Sequence, residues 1–423
     1  MNPAGSLTRR IFIFHAMLTI NDDTRKYIDN HRNDDVRQLA LSSKKDSAVD
    51  MTFALSQIAG WQTARTKLPE WAEKPQIVYP PHLSMEQCSS ASTAHYKVSV
   101  VKRLLADGVL PADSMADITG GFGVDFSYLS HQFASSTYVE MQQHLCDIAE
   151  HNFRELGLTG TEVICGNGEE VLKTIKPQNF IYLDPARRDA NGGRTYAIED
   201  CTPNVIALNN LLLEKAEVVM VKLSPMLDWR KAIATLHGVS EVHIVSVDNE
   251  CKELLLVLTH KETSMDDIRV YCVNNDLLLS FTLGEEQQAS VRLTDEITDD
   301  VRHDNLYLFE PNASIMKAGC FSLLCEKYGV SKMGKNSNLF LSCDETDGFP
   351  GRRFLVTAVS SMNKKELRKA LDGVTCANVA VRNFPLAAQE LRKRLKLKDG
   401  GIHYIFGTTD SANRHILLLC KKL

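Results

Sequence analysis

A chain of 423 residues is too long for one ordinary hydrophobic core and implies about three domains. It is 44% apolar and 24% charged, a globular composition, and its 48 basic and 53 acidic residues leave a net charge of −5, which alone gives no argument for nucleic acid. No apolar run reaches the ~20 residues of a bilayer span, and eleven cysteines without a Cys-x-x-Cys pair and thirteen histidines without a His-x-x-x-His pair predict a reducing cytoplasm and no structural metal.

In chain order, Arg9-Arg10 before Ile11–Phe14 resembles a signal peptide only faintly, because the run is short, meets His15 and lacks a cleavage site. It reads as an extension, or as sequence ahead of a true start at Met17. Residues 1–83 form a helical region. Asp22-Asp23 caps Thr24–His31, Asp34-Asp35 caps Val36–Leu41, and Asp50 caps Met51–Thr63. Pro69, Pro75 and Pro80-Pro81 punctuate a linker. Ser84–Leu105 reads as one helix, its start blurred by Ser89-Ser90.

Residues 84–262 form the next domain. Strands are expected at Met115–Ile118, Thr137–Glu140, Glu162–Cys165, Phe180–Leu183, Val218–Lys222, Val242–Val247 and Leu254–Leu258, separated by helical patterns. This is the α/β class: a mainly parallel sheet covered on both faces, with ligands beyond the carboxyl ends of its strands. Residues 263–345 read as a small α+β, ferredoxin-like domain. Two strands lie around Asn274-Asn275-Asp276, followed by a strand at Asn305–Glu310. A helix Ala313–Tyr328, capped by Asn312 and stopped by Gly329, carries core Cys320 and Cys325 before a strand at Leu339–Ser342. After a linker at Asp344–Gly351, residues 346–423 read β-α-β-α-β-β. From Pro350 onward fifteen Lys and Arg face five Asp and Glu, a local +10 on an otherwise acidic chain. That module is either a polyanion-binding appendage or a solvated basic face.

The strand ends carry the chemistry. Asp117-Ile118-Thr119-Gly120-Gly121-Phe122-Gly123-Val124-Asp125 reads as strand, glycine turn and helix, and Glu140 ends the next strand 23 residues after Asp117. Glycines permit the turn and a close backbone approach, the helix start offers free N–H groups, and an acid at that offset suits ribose hydroxyls. Phe126 stands where a dinucleotide fingerprint needs its third glycine, which argues against NAD or FAD. The Asp-x-x-x-Gly-x-Gly form resembles motif I of class I S-adenosylmethionine methyltransferases. Asn167, after the third strand, is either an adenine contact through its amide oxygen or a turn residue.

The fourth strand ends Asp184-Pro185-Ala186-Arg187-Arg188. Enzymes that methylate planar amino nitrogens typically carry Asp/Asn-Pro-Pro and an aromatic residue there. Asp184 and Pro185 match; Ala186 and Arg187 do not, so stacking would fall to a guanidinium or a distant ring. Asp-Pro-x-Arg also resembles uracil C5-methyltransferases, but Val221-Lys222-Leu223-Ser224-Pro225 lacks their cysteine nucleophile. Arg187 and Arg188 suit a phosphate or carboxylate, or an ion pair with Asp189, Glu199 or Asp200. Lys222 and Ser224 sit where a substrate would be lined, and Asp248, Glu250, Lys252 and Glu253 read first as a structural network.

Together with Glu86–Ser90 and Lys252-Glu253, these runs resemble a bacterial family of class I S-adenosylmethionine methyltransferases with a THUMP-like C-terminal domain, from about Ser84 onward. Gly120 stands where that family more usually has Cys. The resemblance implies a Rossmann-like sheet and S-adenosylmethionine held by Asp117, Thr119, Gly121, Gly123, Asp125, Glu140 and Asn167. It implies Asp184 and Pro185 as catalytic residues acting on an exocyclic amine. It also implies an RNA partner, tRNA or rRNA, contacted by Arg392, Lys393 and Arg394 with Lys396 and Lys398. A protein or small-molecule acceptor, with Arg187 and Arg188 on a carboxylate, and an inactive RNA-binding protein remain the alternatives.

Overall fold

The computed structural model describes residues 20–42, 48–186, 198–294 and 305–423. The Arg9-Arg10 segment and Met17 fall outside them. The chain divides into two compact units, Met1–Val239 with Leu255–Glu262, and Ser240–Leu254 with Thr263–Leu423.

The first unit opens with helices α1 (Asp22–His31), α2 (Val36–Ser42), α3 (Met51–Lys67), α4 (Pro69–Ala72), α5 (His82–Gln87) and α6 (Ala91–Ala106). The cap of α1 is Asn21, whose side chain accepts from Thr24 N, so Asp22 and Asp23 occupy its first turn, where acids suit the helix dipole. The single helix expected over 84–105 is two. Ser90 caps α6 through Thr93 N, which leaves Ser89 in the break between α5 and α6. Trp71, Tyr79, Met85 and Ala94 from this region form one core with Phe122 and Val124, so the helices clamp the far side of the glycine turn.

The sheet of this unit contains β1 (Ser114–Asp117), β2 (Ser135–Glu140), β3 (Thr161–Cys165), β4 (Gln178–Leu183) and β5 (Ala216–Leu223). Between them run α7 (Val124–Leu129), α8 (Gln143–Glu155), α9 (Gly168–Thr174) and α10 (Val205–Lys215), and α11 (Trp229–Thr235) follows β5. Strands β1 to β5 are parallel in the order β3-β2-β1-β4-β5. Asp117 is in register with Tyr138 of β2 and Tyr182 of β4. The carboxyl ends carrying Asp117, Glu140, Cys165 and Leu183 therefore share one edge.

Strands β6 (Val239–Val247) and β7 (Glu250–Thr259) form a hairpin that turns at Asp248 and Asn249, both at positive φ. In the second unit β8 (Arg269–Asn274) runs parallel to β6, and β9 (Leu277–Thr282) returns antiparallel to β8. Then come α12 (Leu283–Gln288), β10 (Tyr307–Pro311), α13 (Ala313–Ala318), α14 (Phe321–Tyr328), β11 (Ser331–Gly334) and β12 (Ser337–Ser342). The helix expected over 313–328 breaks at Gly319, whose φ of 76° ends α13, and β11 was not expected from the sequence. Cys320 and Cys325 are core residues.

The chain ends with β13 (Gly351–Ser360), α15 (Lys364–Ala370), β14 (Asn378–Arg382), α16 (Ala388–Leu395), β15 (His403–Thr409) and β16 (His415–Lys422). One seven-stranded sheet, β11-β12-β10-β13-β16-β15-β14, crosses the 345/346 boundary read from the sequence. Leu367 and Leu371 from α15 and its end, and Leu391 and Leu395 of α16, pack with Ile405, Leu417 and Leu419. Both helices thus cover the same sheet face, and their polar sides face water.

Candidate functional site

The glycine turn is built by its neighbours. Gly121 and Gly123 have φ of 58° and 82°, a region that costs any residue with a Cβ. A Cβ at Gly123 would also lie 2.8 Å from the Phe153 ring, and one at Gly120 would sit 2.1 Å from Tyr138. Position 120 therefore admits no side chain while Tyr138 holds this place. At Gly121 the space beyond the backbone is open. The Tyr138 hydroxyl donates to Gly121 O, and Gly121 N donates to Glu140 Oε2 at 2.9 Å. Glu140 Oε1 accepts from Gln142 N at 2.8 Å. The acid that ends β2 thus points back at the turn.

Asp117 is buried, and its Oδ1 accepts from Thr119 N at 2.9 Å and Thr119 Oγ1 at 3.3 Å. Thr119 Oγ1 in turn accepts from Asp184 N at 2.7 Å, which ties the turn to the end of β4. Burial pushes the Asp117 carboxyl up to about 8, the nearby Asp125 and Asp184 charges add to the rise, and the Thr119 bonds oppose it.

Behind the turn lies a buried charge cluster. Lys97, fully buried on α6, places Nζ 3.1 Å from Asp125 Oδ1. Asp125 Oδ2 accepts from Ser89 Oγ at 2.6 Å and from the Tyr182 hydroxyl at 2.7 Å. Lys222 Nζ lies 2.6 Å from Asp184 Oδ2, 3.2 Å from Ser89 Oγ and 3.8 Å from Asp125 Oδ2. Burial raises the Asp125 carboxyl, but Lys97 and then Lys222, with the Ser89 and Tyr182 bonds, outweigh it and hold it at about 2. Asp125, expected among the cofactor contacts, meets the buried Lys97 in this structure.

The other expected residues fall as follows. Asp184 remains partly exposed, and its Oδ1 has no partner among the described residues. Pro185 is buried, and Ala186 exchanges both backbone hydrogen bonds with Thr202, which pins the segment. Arg187, Arg188 and Asp189 lie outside the described residues. Asn167 caps α9, its Oδ1 accepting from Glu169 N at 2.8 Å and Glu170 N at 3.3 Å. That oxygen, read from the sequence as either an adenine contact or part of a turn, accepts from helix donors in this structure. Ser224 shapes the turn after β5 by accepting from Met226 N. Lys222 meets Asp184 rather than only lining a cleft.

Sequence reading gave no site role to Ser89, Lys97, Tyr138 and Tyr182, although Ser89 lies in the Glu86–Ser90 run. Lys97 also left a signal: it interrupts the apolar stripe of Ala94, Val98, Val101 and Leu104 at helical spacing.

In the second unit α15 exposes Lys364, Lys365, Arg368 and Lys369. Lys393 and Arg394 of α16, with Lys396 and Lys398 beyond it, are also exposed. These side chains have no acidic partner among the described residues. Arg392 does, pairing with Asp399. Among the described residues no cluster of His, Cys, Asp and Glu could hold a metal ion, and no helix is long and apolar enough to cross a membrane.

Comparison with known proteins adds to this geometry. Residues 351–422 match a family profile described as THUMP domain-like, and residues 307–350 match one described as a ferredoxin-like domain. The crystal structure of a protein assigned as a methyltransferase from Porphyromonas gingivalis W83 is 31% identical, covers 95% of this chain and 97% of that one, and superposes with a TM-score of 0.81. Similarity falls off in the 16S rRNA N2 G1207 methyltransferase of T. thermophilus, solved with AdoMet and guanosine. It is 17% identical over 43% of this chain and 46% of that one, with a TM-score of 0.34. An rRNA methylase from Streptococcus thermophilus is 14% identical over 38% of this chain and 95% of that one, with a TM-score of 0.30. No curated protein matches the chain.

Proposed function

The chain belongs to the family of class I S-adenosylmethionine-dependent methyltransferases with a THUMP-like C-terminal domain, and from that premise we propose that its acceptor is RNA, methylated on an exocyclic base amine. The observation that carries the RNA reading is the pair of helices α15 and α16 on one sheet face, turning unpaired lysines and arginines to solvent. Such a surface gives sequence-independent affinity for a phosphate backbone.

The residues present fit the cofactor. Gly121 leaves open space on a turn whose backbone can approach a ligand closely, and Glu140 supplies carboxylate oxygens at the edge of that space. Thr119, Gly123 and Asp117 hold the turn in shape. S-adenosylmethionine supplies a methyl group already activated on a sulfonium, so the protein's work is alignment. Lys222 fixes one oxygen of Asp184 and leaves Oδ1 open as an acceptor. An exocyclic N–H donating to Oδ1 is thereby oriented, and the carboxylate stabilises positive charge as it develops on the nitrogen. Asp125 and Lys97 act through Lys222 and Ser89, and are positioning residues.

Two measurements test this. Calorimetry should detect S-adenosylmethionine binding that Asp117→Ala removes, and no binding at millimolar ligand would end the cofactor assignment. With cofactor carrying a labelled methyl group, label should enter RNA from a lysate, and Asp184→Ala should cut transfer by about a hundredfold or more with cofactor affinity kept. Label entering only protein or small molecules would replace RNA as the acceptor, and unchanged turnover would remove Asp184 from the mechanism.

A further inference from the structure

A second site lies in the second unit, where the ends of β14 and β15, the start of β16 and the β11–β12 turn meet. An open cleft of about 530 Å³ is lined by Asn336, Asn383, Phe384, Thr409, Asn413 and His415 among others. That volume falls within the ~300–1,000 Å³ of small-ligand sites. No Asp, Glu, Lys or Arg is among its lining residues, and His415 is the one titratable side chain there.

Thr409 organises the cleft. Its hydroxyl donates to Asn383 O, and Ser337 Oγ donates to its carbonyl oxygen. Gly334 packs so closely against Thr409 O that a Cβ there would lie 2.7 Å away, which brings the turn carrying Asn336 onto the site. His415 Nδ1 is 3.1 Å from Thr409 Oγ1. The single Thr409 hydroxyl proton goes to Asn383 O, so toward His415 the oxygen accepts and Nδ1 carries the proton. In the neutral ring Nε2 is then an acceptor. Phe384 stands edge-on to the His415 ring at 5.7 Å. The Phe384 ring sits over Gly407, where a Cβ would come within 3.2 Å of it.

The amides of Asn336, Asn383 and Asn413 have no hydrogen-bond partner among the described residues. Each offers a paired donor and acceptor, and from three separate loops they line the same cleft as Phe384. An uncharged, planar ligand with several donors and acceptors on its edge fits this lining. A phosphate fits it less well, because neither lysine nor arginine is among the lining residues.

We propose that this cleft holds an unpaired nucleobase of an RNA strand, its edge met by the three asparagines and its face by Phe384. Single-stranded RNA is commonly read in this way, with splayed bases stacked on aromatic rings and hydrogen-bonded at their edges. The proposal rests on the RNA reading above and deepens it. The cationic helices α15 and α16 take the backbone, and the cleft takes a base.

The test uses the full chain and fluorescein-labelled ten-nucleotide homopolymers of A, C, G and U, with a duplex of equal length as control. Asn383→Gly and Asn413→Gly remove the amides while keeping the positive φ of 53° and 62°. Asn336→Ala is the third variant, and Phe384→Leu probes the ring, with thermal melting to confirm folding. The doubly substituted Asn383→Gly/Asn413→Gly chain should lose about tenfold in affinity for at least one homopolymer and nothing for the duplex. Unchanged homopolymer affinity, while Lys393→Glu/Arg394→Glu weakens every RNA, would overturn the cleft and keep the RNA reading. No binding of any RNA, total cellular RNA included, would overturn both. A free nucleoside binding as tightly as the strand would overturn the strand as occupant.

Discussion

Two sets of lysines, one from each unit, play opposite parts. Lys97 and Lys222 of the first unit are buried or nearly so, within reach of Asp125 and Asp184. Lys364, Lys365, Lys393 and Lys396 of the second lie exposed without acidic partners. Removing a charge from water is expensive, so Lys97 and Lys222 lie beside carboxylates and a hydroxyl, and what they contribute is a fixed position. An exposed lysine pays no such cost and remains available to an outside anion. Charge that shapes the site and charge that recruits a partner are thus told apart by burial and pairing, not by residue type.

The strongest way to break this contrast is Asp125→Ala, which removes the carboxylate 3.1 Å from the buried Lys97 ammonium. Urea unfolding should then show a loss of about 3–5 kcal/mol, and adding Lys97→Met should recover much of it. A loss below about 1 kcal/mol, typical of a surface pair, would mean that the cluster is not a buried ion pair. Next in size is Lys393→Glu/Arg394→Glu. Each backbone contact removed should lower the slope of log affinity against log salt by roughly 0.7 for single-stranded RNA, with melting unchanged. An unaltered slope would place the partner surface elsewhere.

The smallest effect sharpens the comparison through pH. The Asp117 carboxyl is raised from 3.8 to about 8 in the folded chain, so the folded state keeps its proton after the unfolded state has lost it. The stability this gives is complete below 3.8, declines as pH rises, and is gone above about 8. Asp125, lowered to about 2, contributes above 3.8 and loses that contribution only as pH falls toward 2, so it is silent near neutrality. Between pH 6 and 8, the native chain should lose stability relative to Asp117→Asn by at most about 1.4 kcal/mol per pH unit. Parallel stability curves for the two proteins would show that Asp117 titrates normally.

Much of the architecture was legible in order along the chain. The alternation of short apolar runs with helical stretches placed β1 to β5, and the β-α-β-α-β-β reading of the last module matches β13 to β16 with α15 and α16. Boundaries failed where a single residue overrode periodicity. Ser90 capped a new helix inside an apparently continuous one, and Gly319 ended another with a left-handed turn. The glycine turn and Glu140 were visible because their spacing is short and local. The partners of Asp125 were not, because Ser89, Lys97, Tyr182 and Lys222 come from four separate elements.

By itself, the sequence determined the elements, the turn that only glycine can make, the acid that follows it and the excess of cations toward the C-terminus. These are local properties, set by steric limits on single residues and by side-chain periodicity. Only the tertiary structure decided what those residues do. Ser89 and Lys222, 133 residues apart, meet at one carboxylate cluster, and Asn336, Asn383 and Asn413 from three loops line one cleft with Phe384. Such juxtapositions follow from strand order and packing, which bring together groups whose separation along the chain carries no trace of their contact.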